Sequence, residues 1–255
     1  MAVELLERNK QNRPLRDHHA RMISSLIKAG KWKFNGDTIK IDTDGNVLDG
    51  QHRLWAVVDS GIAIDAVIVY GIERDAFATI DTNRKIRSMA DVIALNGTKR
   101  YANLIASSLM WLVRYQRGEI ATYRDPTCKV TNADIEDAWR AHPEIVAAVE
   151  KAVALRRLAP TSIMACLYYV LANRNHDLAE QMMRILEDAE GINLSHPFFR
   201  LRNYFTADHH KTKDPVVTFA TAIKAINAAA AGQRIQSLKW VGHGRGAEAF
   251  PALRA

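Results

Sequence analysis

The sequence predicts an α+β protein. A small N-terminal domain of mixed sheet and helices is followed by an all-α helical domain. Three observations carry that prediction. Strand-like alternation and short apolar runs occur before residue 96 and stop there. Beyond Asn96-Gly97, apolar residues recur at helical spacing in five successive stripes. The 255 residues are 48% hydrophobic and 25% charged, which suits a sizeable core and not a disordered chain.

Taken in chain order, residues 1–16 read as an N-terminal arm, with Pro14 biasing Arg13 away from helix. From Asp17, Met22, Ile23, Leu26 and Ile27 share one helical face, and Gly30 stops it. Thr38 to Asp42 alternates like a strand, Asp44-Gly45 signals a tight turn, and Val47-Leu48 returns as a second strand. After Gly50, Leu54, Val57 and Val58 mark a helix ending at Gly61. Ala66 to Tyr70 is a continuous apolar run and reads as a buried strand, followed by a short helix from Arg74 to about Ile80. Ser88 with Asp91, and Thr131 with Asp134, have the spacing of capping boxes.

The helical stripes comprise Ile105, Leu109, Leu112 and Val113; Ile145, Val146, Val149 and Val153; Ile163, Met164, Leu167, Val170 and Leu171; Leu178, Met182, Ile185 and Leu186; and Val216, Phe219, Ala220, Ile223 and Ile226. A bundle is the simplest way to bury them. Residues 132–141 and the segment from Pro143 have a helix-turn-helix layout. The second helix, however, offers mainly Ile145 to Val149 where base-reading polar side chains belong, so packing is expected. The glycines 242, 244 and 246 with Pro251 suggest a flexible tail. The expected organisation is an arm at 1–16, a sheet-containing domain at 17–96, a helical domain at 97–240 and a tail at 241–255.

Several functional classes drop out. No apolar run approaches the ~18 residues of a membrane span. Two cysteines, Cys128 and Cys166, far apart in sequence, argue against a disulfide framework or cysteine zinc site and suit a reducing cytoplasm. His18-His19 and His209-His210 are adjacent pairs, poorly arranged on a helix to chelate one metal, so no protein-built metal site is expected. Serine-hydrolase elbows and P-loops are absent from the sequence. Up to residue 98 there are 14 basic and 13 acidic residues, and beyond it 21 and 15. The positive excess therefore lies in the helical part, where it can attract nucleic acid phosphates.

The most informative stretch is Val47 to Ala56, where a short strand and Gly50 lead into a helix start carrying Gln51, His52 and Arg53. Exposed N–H groups at a helix start attract anions, and a glycine permits close backbone approach. Arg53 can grip phosphate oxygens as a fork, and His52 can donate a hydrogen bond or move a proton. Two alternatives stand beside it: a plain helix start with His52 and Arg53 solvated, or a structural role in which Arg53 pairs with Asp49 or Asp81 and holds the loop. A second polar stretch, Asp81-Thr82-Asn83-Arg84-Lys85-Ile86-Arg87, combines a turn with three cations.

Asp49-Gly50-Gln51-His52-Arg53-Leu54 resembles the DGQHR box of the ParB/sulfiredoxin superfamily. Trp55-Ala56 and Ser60-Gly61 fit the same block. The likeness runs upstream through Asn12-Arg13-Pro14 and Gly30-Lys31-Trp32, and downstream to about Leu95. In chromosome-partition ParB proteins the box reads Gly-Glu-Arg-Arg and contacts nucleotide phosphates, in sulfiredoxins Gly-Cys-His-Arg, and in free-serine kinases of this fold Asp-Gly-His-His-Arg. The overall layout resembles ParB-like proteins of bacteriophage genomes. Gln51 stands where sulfiredoxin has its cysteine, which argues against thiol-based repair. The second ParB box, Glu-Asn-x-x-Arg, is matched loosely by Asp81, by Thr82 in place of Asn, and by Arg84 or Arg87.

The resemblance implies a nucleotide- or DNA-phosphate-binding protein of phage or plasmid type, located in the cytoplasm. Its ligand-binding residues would be Gly50, Gln51, His52, Arg53, Thr82, Asn83, Arg84 and Arg87, and the cofactor a nucleoside triphosphate with Mg²⁺. Nucleotide and DNA are the expected partners, with a homodimer allowed. A phosphotransferase or nuclease in the same pocket would use Asp49, His52 or Asp81 as acid–base or metal-holding groups. A regulatory module with a vestigial pocket is the third reading.

Overall fold

A computed structural model describes the chain apart from residues 10, 11, 13, 80–87, 96, 97, 99, 126, 127, 189–192, 208–213, 243 and 245, and describes only the backbone at 77–79 and 95. The chain divides into two compact units, Met1–Ile86 and Arg87–Ala255. Together they give an α+β protein with a small mixed sheet.

The first unit opens with α1 (Ala2–Glu7), then α2 (Asp17–Lys28), β1 (Thr38–Asp42), β2 (Val47–Asp49), α3 (Gln51–Ser60) and β3 (Val67–Ile72), closing on a 3₁₀ turn at Arg74–Thr79. The sheet order is β2-β1-β3, with β1 antiparallel to β2 and parallel to β3. Ile39 and Ile41 of β1, Val47 of β2 and Leu54 of α3 bury one face of the sheet together with Leu5 of α1. A second small cluster joins Ile23 and Ile27 of α2 to Ala56 of α3. The expected arm is thus partly a helix whose Leu5 is in the core. It was hidden because six residues are too few for a periodic pattern to be read.

The turn after β1 is organised by Asp42. Its carboxylate accepts the N–H groups of Asp44 (3.0 Å) and Asn46 (2.6 Å) and pairs with Arg74 at 3.0 Å. Strand β3 departs from expectation. It lies at the edge of the sheet, and only Ile68 and Ile72 are half-buried, while Val67, Val69 and Tyr70 are exposed. An apolar run shows that a strand fits; it does not show that a second layer covers it.

The second unit comprises α4 (Met89–Leu95), α5 (Ala102–Arg117), α6 (Asn132–Ala141), α7 (Ile145–Ala152), α8 (Thr161–Ala172), α9 (His176–Glu187), α10 (Pro197–Thr206) and α11 (Pro215–Ala230). Helix α4, assigned from sequence to the first domain, contributes Met89, Ala90 and Ile93 to this core. Helix α8 is buried from Ile163 through Tyr168 and again at Leu171, as expected of a helix surrounded by neighbours. Helices α5, α7, α9 and α11 pack on it. Helix α7 turns Ile145, Ala148, Val149 and Ala152 inward, so its apolar face is used in packing. Capping boxes start α4 at Ser88/Asp91 and α6 at Thr131/Asp134.

Residues 249 and 252–254 of the segment expected as a flexible tail are bonded within this unit. Leu253 is buried, its carbonyl accepts from Arg174 at 2.8 Å, and Trp240 Nε1 donates to the carbonyl of Ala249 at 3.2 Å. Arg200 donates to Ile235 O at 3.4 Å, Arg202 to Leu186 O at 2.5 Å, and Lys224 to Lys239 O at 2.7 Å. Part of the unit's positive charge is therefore engaged in holding its own backbone. Arg156 and Arg157, beyond α7, are exposed. No helix among the described residues is long and apolar enough to cross a membrane.

Candidate functional site

Strand β2 delivers the chain to Asp49, and α3 begins two residues later. Between them Gly50 takes φ +98°, a left-handed conformation that strains any residue with a Cβ. A Cβ there would also meet Ile39 Cγ1 at 2.9 Å. The backbone that presses on Gly50 is therefore β1 of the same sheet. That is a structural reason for the glycine, where the sequence suggested close approach of a ligand.

Helix α3 has Gly50 at its N-cap, a residue with no side chain of its own to cap the first turn. Arg53 sits in that turn and is largely buried. Its Nη2 donates to the carbonyl of Thr38 at 2.8 Å and lies 3.7 Å from Asp49 Oδ2. Its Nη1 is enclosed and has no hydrogen-bond acceptor among the described residues. One arm of the fork is thus structural, and the other has no acceptor among the described residues. A buried guanidinium nitrogen without an acceptor is costly.

Asp49 is occupied from three sides: Lys40 Nζ at 3.1 Å, Arg53 at 3.7 Å, and the N–H of Gly50 on Oδ1 at 2.7 Å. It acts as counter-ion to two cations of its own unit, which leaves it poorly placed to hold a metal. Gln51 and His52 are buried. Gln51 Oε1 accepts from Asn9 Nδ2 at 3.0 Å, and His52 Nε2 accepts from the backbone N–H of Arg16 at 3.1 Å. A backbone amide can only donate, so in this arrangement His52 Nε2 carries no proton and a neutral ring is protonated at Nδ1. The ring of His19 stands edge-on to that of His52, with centroids 5.1 Å apart.

The structure therefore brings Asp49, Gly50, Gln51, His52 and Arg53 into one region. Asp81, Thr82, Asn83, Arg84 and Arg87 lie outside the described residues. Sequence reasoning missed Thr38, Lys40, Asn9, Asn12 and Arg16. The Lys40–Asp49 pairing was available in principle, since those residues face each other once the hairpin is closed at Asp44-Gly45. The contacts of Asn9, Asn12 and Arg16 join residues about 35 to 42 positions apart and leave no local signal.

Among the described residues no three His, Cys, Asp or Glu come together as a metal cage. A cleft of about 490 Å³ lies in the helical unit, lined by Lys224, Asn227, Gln233, Ser237 and Arg254. Two of its polar side chains have partners within the unit, Lys224 with Glu248 and Asn227 with the backbone of Ala252 and Arg254. Comparison with protein families, characterised proteins and solved structures finds no match to this chain.

Proposed function

We propose that the chain is a ParB-like protein that binds phosphate groups of a nucleotide or of DNA at the start of α3, acting in phage or plasmid DNA metabolism in the bacterial cytoplasm. The observation that carries this reading is the half-committed fork of Arg53. Its Nη2 is fixed on Thr38 and its Nη1 is enclosed without an acceptor among the described residues, in the first turn of a helix whose N-cap is a glycine. Anionic oxygen satisfies such a donor, and the helix start adds its own favourable potential.

The proposed ligand is a nucleoside triphosphate, held through its phosphates. With Asp49 committed to Lys40 and Arg53, Mg²⁺ would have to arrive with the nucleotide. The same commitment weighs against a phosphotransferase or nuclease built on Asp49 and His52, since His52 Nε2 is also taken. The reading of a regulatory module with a vestigial pocket has one observation in its favour: Gln51 and His52 are both satisfied from within the chain. Helical-unit cations such as Arg156 and Arg157 are the proposed nonspecific DNA contacts.

A thermal-shift and turnover screen over nucleoside triphosphates with Mg²⁺, with and without duplex DNA, tests the proposal. Binding without product formation is the expected result. Turnover would favour the enzyme, and an inert pocket with DNA binding retained would favour the regulator.

A further inference from the structure

The outer side of α2 and the loop after it carry positive charge that the start of α3 does not use. Residues 16–37 hold five basic and two acidic side chains, whereas the rest of the first 98 residues holds nine and eleven. On α2 the pattern is ordered. Ala20, Ile23, Ser24 and Ile27 are buried, while His18, Arg21, Ser25 and Lys28 are exposed at spacings of three and four. Such spacing sets side chains in one row along a helix, and ten residues of rise extend the row over about 15 Å. Asp59 of α3 offsets one of these cations, its Oδ2 lying 3.0 Å from Lys28 Nζ.

The loop continues from the end of that row. The N–H of Lys31 closes α2 on the carbonyl of Leu26 at 2.9 Å, and Trp32 packs inward against the cluster of Ile23, Ile27 and Ala56. Beyond that anchor Lys33 and Phe34 face outward, and Phe34 is 60% exposed. Asn35 and Asp37 then close the turn through two bonds of 3.0 Å. A phenyl ring left in water forgoes the stabilisation of burial, and no other large apolar side chain is exposed between residues 16 and 37. One ring is too little apolar area to hold a protein on a bilayer, which takes a broad apolar face. It suits a nucleic-acid base, since every base has a ring face and every nucleotide brings an anionic phosphate. A duplex keeps those faces stacked inside, so the fitting partner is a single strand.

We propose that the α2 row and the Phe34 loop bind single-stranded nucleic acid, with Arg21, Lys28 and Lys33 along the phosphates and Phe34 stacked on a base. Neither contact reads the sugar, so DNA and RNA strands are bound alike. No residue of the α3 box takes part, which makes this surface independent of the phosphate site there.

Fluorescence anisotropy of labelled oligothymidine with the full chain tests this. Phe34→Leu keeps an apolar side chain at an exposed position and removes the ring face, and it should weaken binding about tenfold, within the range for one lost stack. Arg21→Gln should lower the slope of log affinity against log salt by ~0.7, the value for one phosphate contact on a single strand. Oligouridine should bind as oligothymidine does, and any affinity for a duplex should be unaffected by Phe34→Leu. Oligothymidine affinity that Phe34→Leu leaves unchanged overturns the proposal, as does a lack of binding at low salt. Binding to anionic lipid vesicles that Phe34→Leu abolishes, with oligothymidine unbound, overturns it in favour of a membrane.

Discussion

The two units are held together by different means. The helical unit has one large apolar core, from Met89 of α4 to Leu253, which includes the fully buried Phe198 and Phe219, beside a small cluster of Val216, Ala220 and Trp240. The sheet unit has two small clusters, and much of its order comes from polar hubs: Asp42 in the hairpin, Ser24 with Lys28 on Asp59, and Lys40, Asp49 and Arg53 around the box. Apolar burial is non-directional and tolerates repacking, whereas a hydrogen-bonded hub fixes directions. The unit with the thinner core is thus the one whose groups are aimed, and it carries the candidate site.

Breaking each unit in its own way sharpens that contrast. Phe219→Ala removes a ring that lies 5.3 Å from that of Trp111 and should cost about 3–5 kcal/mol, read as a lower denaturant midpoint for the helical unit. Gly50→Ala sets a Cβ against Ile39 in a left-handed backbone and should cost about 2–4 kcal/mol, read as accelerated amide exchange in β1 and β2.

Acid should affect the sheet unit through its hubs. Burial pushes the pKa of Asp42 up, but hydrogen bonds from Asn46 and Asp44 and the Arg74 guanidinium outweigh it and hold the carboxyl below its usual value. The Ser24 hydroxyl, followed by Lys28, does the same for Asp59. A depressed folded pKa gives stability that is fully present above the unfolded value, about 4, and is lost as pH falls towards the folded value. Protection of β1 amides should therefore decline below about pH 4, and Asp42→Asn should flatten that decline while lowering protection at neutral pH. A pH-independent profile in the wild type would show that the hub is not a source of stability. The smallest effect concerns thiols. Burial pushes the Cys166 thiol far up, whereas Cys128 is partly exposed. A disulfide reagent should titrate Cys128 in the native protein and Cys166 only after unfolding.

What could be read from sequence was what is decided locally. The boxes at Ser88/Asp91 and Thr131/Asp134 are three-residue relations, and the hairpin follows from Asp44-Gly45. The Asp49–Arg53 proximity is a spacing of one helical turn. What could not be read depends on distant chain. Exposure of Val67 and Val69 follows from the edge position of β3. Packing of Ala252, Leu253 and Arg254 depends on Arg174 and Asn227. The close neighbour of Gly50 is Ile39, and the acceptor for Arg53 is the carbonyl of Thr38, both set by how β1 sits beside the box.

The central claim is that one arm of Arg53 is kept for phosphate, and Arg53→Lys tests it most directly. A lysine keeps the charge and can hold Thr38 O or a ligand oxygen, but not both as a fork does. Melting curves of wild type and Arg53→Lys would be recorded with and without nucleoside triphosphate and Mg²⁺. The account predicts an apo melting temperature close to wild type, a ligand-induced rise in wild type, and a rise in the variant reduced to match a loss of about 1.5–3 kcal/mol in binding. A full ligand-induced rise in Arg53→Lys, or a large apo drop with the rise preserved, would contradict it.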